Sequence, residues 1–314
     1  MAFSSRLPEM IRNIRNAPAA FWAAALVLLA VMISYTPNLV YLVTIWWKEP
    51  NYSHGFLVAP IAAAILWQRR DTLAAVPIRP SLAGWVAVLA VLGARFYFYD
   101  VNQVWLENAT LVLAVAALTL AMGGWRLLWW AAPGLLFLVF LLPLPQSVNL
   151  ALAGPLQSLA TVASSAILVA TGLPVVTQGN VIHLGEQPLE VARACNGLSI
   201  LMSFVTLVTA TVILVRDFPL WQRVVLLLST VPIALLSNVL RITATAWCYH
   251  LFGSKFGDKI AHDTAGWMMM PVALILVWIE LKVMSWLVIE EQVHRRDSVR
   301  LVLQPAAGPR VVKK

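Results

Sequence analysis

The sequence predicts an all-α polytopic membrane protein with about eight transmembrane helices, an interfacial helix on its outer face and a short hairpin. Of its 314 residues, 61% are hydrophobic and only 11% are charged, whereas about a quarter of residues are charged in soluble domains. The apolar residues form runs close to the roughly 20 residues that cross the hydrocarbon layer. Most basic residues lie between these runs, so the net charge of +8 indicates membrane orientation and not nucleic-acid binding.

The apolar runs, cut at charges and turn residues, define the predicted spans. These lie near 19–36, 56–68, 82–99, 108–123, 127–143, 196–215, 221–250 and 266–288. With the basic N-terminus inside, roughly fifteen of the 22 Lys and Arg residues fall on the inner side, as the positive-inside tendency predicts. The outer segments are then 37–55, 100–107, 144–195 and 251–265. We therefore predict a single transmembrane domain over 1–290 and a flexible basic cytoplasmic tail over 291–314.

One apolar segment, Leu150 to Thr171, is not counted as a span. It contains Gly154, Pro155 and several polar residues, and a ninth crossing there would place the basic C-terminal tail outside. We expect an interfacial or re-entrant helix packed on the outer surface. After it, residues 175–184 and 185–191 have the pattern of two short strands around a turn, which lead the chain towards Cys195.

Three polar residues on separate segments are predicted to lie near the outer boundary. Cys195 directly precedes the sixth span, and His262 lies in the turn before the eighth. Arg241 follows Arg223, at the inner end of the seventh span, by eighteen residues, which a helix converts into about 27 Å. That distance is close to the hydrocarbon thickness of about 30 Å, so all three side chains are expected at similar depth.

This set of residue types is suited to acyl transfer from a peptide bond. A cysteine thiolate attacks carbonyl carbon, and a histidine takes up and returns the proton. An arginine stays charged and stabilises the oxyanion of the tetrahedral intermediate. Each residue alone also has a plainer interpretation: an apolar filler for Cys195, a solvated loop residue for His262, and a snorkelling side chain for Arg241. A disulfide between Cys195 and Cys248 also remains open in an oxidising compartment.

The sequence gives little support to metal or cofactor chemistry. His54, His183 and His250 could join carboxylates as metal ligands, but no His-Glu-x-x-His or paired-cysteine spacing occurs. The chain also lacks a Walker loop, a dinucleotide-binding glycine pattern and a Gly-x-Ser-x-Gly elbow. We therefore expect no metal and no cofactor.

Five short motifs follow one another along the chain. They are Tyr52-Ser53-His54-Gly55-Phe56, Pro143-Leu144-Pro145, Leu189-Glu190-Val191-Ala192-Arg193-Ala194-Cys195-Asn196-Gly197, Ser237-Asn238-Val239-Leu240-Arg241-Ile242 and His262-Asp263-Thr264-Ala265-Gly266-Trp267. In this order and at these positions relative to the spans, they resemble the motifs of the exosortases and archaeosortases. The resemblance covers most of the chain. By this resemblance Cys195, Arg241 and His262 are the catalytic residues, and Asn238 orients a carbonyl near Arg241.

The resemblance implies a membrane cysteine transpeptidase or peptidase in the bacterial inner membrane, with its active site at the periplasmic face. Its partners would be membrane lipid, an acceptor nucleophile that the sequence does not identify, and exported proteins with a C-terminal sorting tag. Such a tag combines a Pro-Glu-Pro-like motif, a transmembrane helix and a basic cluster. The run from Cys195 to Ser199 departs from the family's Cys-Ser-Gly followed by Leu-Arg, which leaves the preferred tag open.

Two other classes of function compete with this interpretation. A transporter or assembly factor for envelope polysaccharide would also have many spans and an intramembrane Arg241, although internal symmetry or paired broken helices would then be expected. A structural membrane scaffold would need Cys195, Arg241 and His262 for folding alone. Transport would tolerate Cys195→Ala and fail with Arg241→Ala, whereas the acyl-transfer enzyme should lose activity in both. Comparison of the protein level of each variant with its activity separates the scaffold.

Overall fold

The computed structural model describes residues 19–184, 187–190, 197–215, 217–253 and 274–286. The helices are α1 (Ala19–Ser34), α2 (Thr36–Lys48), α3 (Gly55–Gln68), α4 (Arg70–Leu73), α5 (Leu82–Asp100), α6 (Val104–Phe137), α7 (Gln146–Ala170), α8 (Leu198–Leu214) and α9 (Leu220–Phe252). Residues 274–286 are also helical and form α10. Two 3₁₀ turns, Pro50–Tyr52 and Leu138–Leu141, and one small sheet complete these elements.

Four helical segments within the described ranges are long and apolar enough to cross a membrane. They are Leu82–Asp100, Val104–Leu141, Gln146–Ala170 and Leu220–Phe252, while Gly55–Gln68 and Leu198–Leu214 are shorter apolar helices. The structure therefore confirms a mostly helical membrane protein. The count of eight spans is not confirmed and stays a prediction.

Helix α2 occupies most of the segment 37–55, which the sequence predicts to lie on the outer side. Its helical conformation was not predicted, and its position outside the membrane stays a prediction. Pro37 lies in the first helical turn, where a missing N–H does no harm. Long-range bonds then hold both ends of the helix: Asn38 Nδ2 donates to Glu107 Oε1 at 2.9 Å, and Trp46 Nε1 donates to the Leu141 carbonyl at 3.0 Å. A polar asparagine and a proline are thus accommodated in a helix, the asparagine by a residue far away in sequence.

Helix α6 is broken at Gly124, between the predicted spans 108–123 and 127–143. The φ angle of Gly124 is 75° and its ψ is −174°, a combination that glycine adopts without a steric penalty. A Cβ at this position would also lie 2.6 Å from the Arg79 carbonyl oxygen. The two segments of α6 therefore agree with the two predicted spans, and the glycine is required both by conformation and by the close approach of the 79–81 loop.

Helices α8 and α9 are antiparallel neighbours. A Cβ on Gly197, just before α8, would lie 3.2 Å from Asn238 Nδ2 in the second half of α9. Towards the other end of α8, Val212 belongs to the same buried cluster as Leu226, which lies near the start of α9. The beginning of α8 therefore faces the later part of α9.

Helix α7 runs parallel to α9. Ser164 Oγ donates to the Val239 carbonyl at 3.3 Å, and further along both helices Trp247 Nε1 donates to Thr171 Oγ1 at 3.3 Å. The predicted helix at 150–171 is thus confirmed as a helix. Its interfacial position stays a prediction, because its length and composition also fit a span.

The segment after α7 forms three antiparallel strands, and not the two that the sequence predicts. They are β1 (Val176–Gln178), β2 (Val181–Leu184) and β3 (Gln187–Glu190), in the order β1-β2-β3. Gln178 pairs with Val181, so the first predicted strand is itself a hairpin around the two-residue turn Gly179-Asn180. A glycine at the first position of such a turn is a favoured hairpin signal, and it divides the run of alternating residues.

A buried polar cluster joins α1 and α2 to α5 and α6. Arg95 Nε donates to Asn38 Oδ1 at 3.2 Å and lies 3.8 Å from Glu107 Oε1, while Arg95 Nη1 donates to Ser34 Oγ. The guanidinium carbon lies 4.4 Å from the centre of the Tyr35 ring. Both charged side chains are nearly buried, with 11% and 13% exposure. The cluster therefore satisfies a charge that would be costly in an apolar setting if it were alone.

We expect Glu107→Ala to lower the free energy of unfolding by about 3 kcal/mol, because it leaves the Arg95 charge buried without its counter-ion. The double variant Arg95→Met/Glu107→Leu should recover most of this loss, since it removes both charges and keeps the volume. Unfolding in mild detergent measures both effects. Glu49→Ala, which removes an exposed carboxylate, is the matched control. Equal stability of Glu107→Ala and wild type would show that the ion pair contributes nothing.

Candidate active site

The N-terminus of α8 packs directly on α9. Gly197 caps α8 with a left-handed φ of 75°, and its carbonyl accepts a bond from Leu201 N at 2.9 Å. The Cβ of any other residue would lie 3.2 to 3.4 Å from the Asn238 side chain, which is tight, and its φ would be strained. Glycine at this position thus allows the segment that follows Cys195 to lie against α9.

Asn238 and Arg241 lie three residues apart on α9, so their side chains project from one face of the helix. Asn238 has no exposed surface and Arg241 is 6% exposed. The fully buried Ser237 precedes them, and its Oγ has no hydrogen-bond partner among the described residues. One turn of α9 thus carries an amide, a hydroxyl and a guanidinium, and it faces the start of α8.

An apolar cluster holds the neighbouring face of α9 in place. Val239 and Ile242 pack with Leu168 of α7, with Leu173 in the following loop, and with Ile182 of β2. Val239 and Ile242 each follow a polar residue, Asn238 and Arg241, and hold α9 against α7 and the sheet, while Asn238 lies beside Gly197 at the start of α8. The sheet and α7 are therefore part of the support of this site.

Two further motifs lie beside the start of α8. The turn Pro50–Tyr52 packs against α8, and Tyr52 Oη accepts a hydrogen bond from Asn149 Nδ2 at 2.8 Å. Leu144, between the two prolines of the second motif, packs with Leu198 and Ala234. Both motifs, which lie far from α8 in sequence, therefore pack on it.

His54, in the first motif, is buried and uncharged at neutral pH. Its side chain is 4% exposed, and burial lowers its pKa to about 4, while a hydrogen bond with the Phe140 backbone acts in the opposite direction. Its Nδ1 has no partner within the described part of the chain. Sequence analysis considered His54 as a possible metal ligand and as part of the first motif; the structure shows a buried residue at the start of α3 that bonds to the backbone of Phe140.

The low pKa of His54 predicts a loss of stability in mild acid. The unfolded chain protonates His54 near pH 6.5, but the folded chain does so only near pH 4. The contribution of neutral His54 to the free energy of unfolding is therefore complete above pH 6.5 and is lost as the pH falls from 6.5 to 4. The shift corresponds to about 3 kcal/mol. Unfolding in detergent between pH 8 and pH 4 should show this loss in wild type, and His54→Gln should lack that component. Parallel pH profiles of the two proteins would contradict the assignment.

Of the three predicted catalytic residues, Arg241 is described, whereas Cys195 and His262 lie outside the described residues. Cys248 is a free, half-buried thiol within the described residues; the disulfide with Cys195 that the sequence leaves open is not tested, because Cys195 lies outside them. Within the described ranges no three His, Cys, Asp or Glu side chains come together as a metal site would require. Sequence analysis did not single out Asn149 and Ser164, because isolated polar residues in an apolar helix carry no local signal of their partners.

The helices, their apolar lengths and the buried polar turn of α9 define a multi-pass helical membrane protein with a candidate site between α8 and α9. Comparison with known families identifies it further: the family model described as transmembrane exosortase matches residues 46–279, and the chain belongs to this family. The matched range contains all five motifs. Searches of curated proteins and of solved structures found no match.

Proposed function

We propose that this exosortase is a membrane cysteine transpeptidase or peptidase that removes the C-terminal sorting signal of exported proteins. The signal would be a Pro-Glu-Pro-like motif, a transmembrane helix and a basic cluster. The observation that carries the proposal is the contact of Gly197 with the turn of α9 that holds the buried Arg241. Cys195 precedes Gly197 by two residues, and covalent geometry limits the distance between their Cα atoms to about 7 Å, which supports the proposal that its thiol acts beside this turn of α9.

In the proposed reaction the Cys195 thiolate attacks the carbonyl carbon of the scissile peptide bond. The negative charge moves to the carbonyl oxygen, where the Arg241 guanidinium stabilises it by charge-assisted hydrogen bonds. His262, having taken the thiol proton, gives it to the leaving amine as the C–N bond breaks. The exported protein is then held as a thioester, and an acceptor amine or water attacks the thioester and restores the thiol.

Buried surroundings support the role proposed for Arg241. An oxyanion is stabilised more strongly where water is excluded, because the local dielectric constant is lower. A guanidinium at 6% exposure next to the fully buried Asn238 provides such a setting. The proposed position at the periplasmic face of the inner membrane follows from the charge distribution of the loops and fits substrates whose own helix remains in the bilayer.

The proposal is tested with the full-length protein in proteoliposomes and a reporter that ends in the proposed sorting signal. We expect cleavage near the Pro-Glu-Pro motif and a hydroxylamine-labile adduct on the peptide that contains Cys195, detected by mass spectrometry. A reporter with the motif replaced by alanines is the control. Cleavage that continues after both cysteines have been alkylated would contradict a thiol mechanism, and retention of the intact reporter would contradict the proposed substrate.

A further inference from the structure

We propose that a cavity between the start of α5 and the break in α6 binds the phosphate head group of an anionic membrane lipid. The cavity has a volume of about 640 Å³, and Arg79 and Arg126 both line it. Neither guanidinium forms an ion pair with a carboxylate in the ranges that the structure describes. Two cations around one cavity, neither paired with a carboxylate among the described residues, favour an anionic ligand, and arginine binds phosphate oxygens in a bidentate manner.

The backbone around the cavity adds N–H groups, which carry partial positive charge and can also bind an anion. Ser81 precedes the first residue of α5 and makes no side-chain capping bond, and a new helical segment begins after the break at Gly124. The first turn of each segment leaves N–H groups without intrahelical partners and carries partial positive charge. Both helix starts line the cavity beside the arginines, so they reinforce a site that the two side chains define.

Hydrogen bonds hold the backbone segments that line the cavity in place. Arg79 N donates to the Gly123 carbonyl at 3.2 Å, and Ser81 N donates to the Ala121 carbonyl at 3.0 Å. These bonds tie the 79–81 loop to the end of the first segment of α6, and the close contact at Gly124 leaves no room for a side chain between them. The two arginines are therefore carried by backbone segments that are bonded to each other.

The setting favours a lipid phosphate over free phosphate. Trp125 lines the cavity, and it makes an edge contact with Trp129 at 5.7 Å between ring centres. Both indoles are largely exposed, at 60% and 63%, and exposed tryptophans at helix ends are typical of the head-group layer of a membrane. Basic pockets between helices on the cytoplasmic side are where anionic head groups bind, and the charge pattern assigns this end of the bundle to that side.

The test uses native mass spectrometry of the full-length protein from micelles that contain phosphatidylglycerol and phosphatidylcholine in equal amounts. We expect wild type to retain phosphatidylglycerol preferentially, and the double variant Arg79→Gln/Arg126→Gln to lose roughly ten- to thirty-fold in this retention. Arg70→Gln removes an exposed arginine from the same side of the protein, outside the cavity lining, and should behave as wild type. Each single variant should fall between wild type and the double variant.

Three outcomes would overturn the proposal. Equal retention of the two lipids by wild type would show that the cavity does not select an anionic head group. Equal loss in Arg70→Gln and the double variant would show a general effect of charge. Displacement of phosphatidylglycerol by millimolar inorganic phosphate would identify a site for the free ion and not for a lipid. Helix content and size-exclusion profiles of the variants separate these results from misfolding, and Arg79→Lys/Arg126→Lys should restore selectivity.

Discussion

Cys195→Ala should abolish processing of a tagged reporter, with at least a 10³-fold loss in rate, while the protein accumulates to its normal level in the membrane. The expected size follows from the proposed role as nucleophile, because the covalent route does not exist without the thiol. Processing is measured as the ratio of cleaved to intact reporter in membranes that contain equal amounts of each variant.

Cys248→Ala is the matched control for this prediction. Cys248 is the second of the two cysteines in the chain and a free thiol near the end of α9, so the control removes the same group elsewhere. We expect it to keep wild-type activity. Normal processing by Cys195→Ala would end the proposal of a thiol enzyme and favour the transporter or assembly factor. A loss that follows the protein level in both variants would favour a scaffold.

The apolar pattern of the sequence predicted the helices well, because hydrocarbon-length runs depend on composition and not on tertiary partners. Every predicted span overlaps a helix of the described residues, and the separation of 108–123 from 127–143 coincides with the break at Gly124. The pattern did not predict helix α2, because Pro37 and Asn38 interrupt the apolar run that ends near residue 36. In the structure the Arg95 cluster on α5 and α6 satisfies Asn38, a long-range effect that no local window contains.

The site was predictable only in part. Depth along α9 indicated that Arg241 lies near one end of the bundle, and its 6% exposure agrees with a residue that is held in a defined place. The contact of Gly197 with Asn238 was not predicted, because it depends on the crossing of two helices and on a left-handed φ at the glycine. The support from α7 and the sheet was also missed, since it rests on contacts such as Ser164 to Val239.

Arg241→Gln should lower kcat by about 10²- to 10³-fold with a much smaller change in KM, the effect expected when one donor to an oxyanion is removed. Arg241→Lys keeps the charge but loses the planar fork of donors, so we expect it to retain an intermediate rate. Rates are taken per folded molecule, because removal of a buried charge also affects stability. A purely structural role would reduce the folded fraction and leave kcat per folded molecule unchanged.

Arg223→Gln makes the control for Arg241 stringent, since it changes the same charge on the same helix. Arg223 Nε donates to the Phe218 carbonyl at 2.9 Å, near the start of α9 and about 27 Å from Arg241 along the helix axis. We expect this variant to process the reporter at close to the wild-type rate. If both substitutions reduced kcat equally, the charge of α9 as a whole would be responsible, and the assignment of Arg241 to the oxyanion would fail.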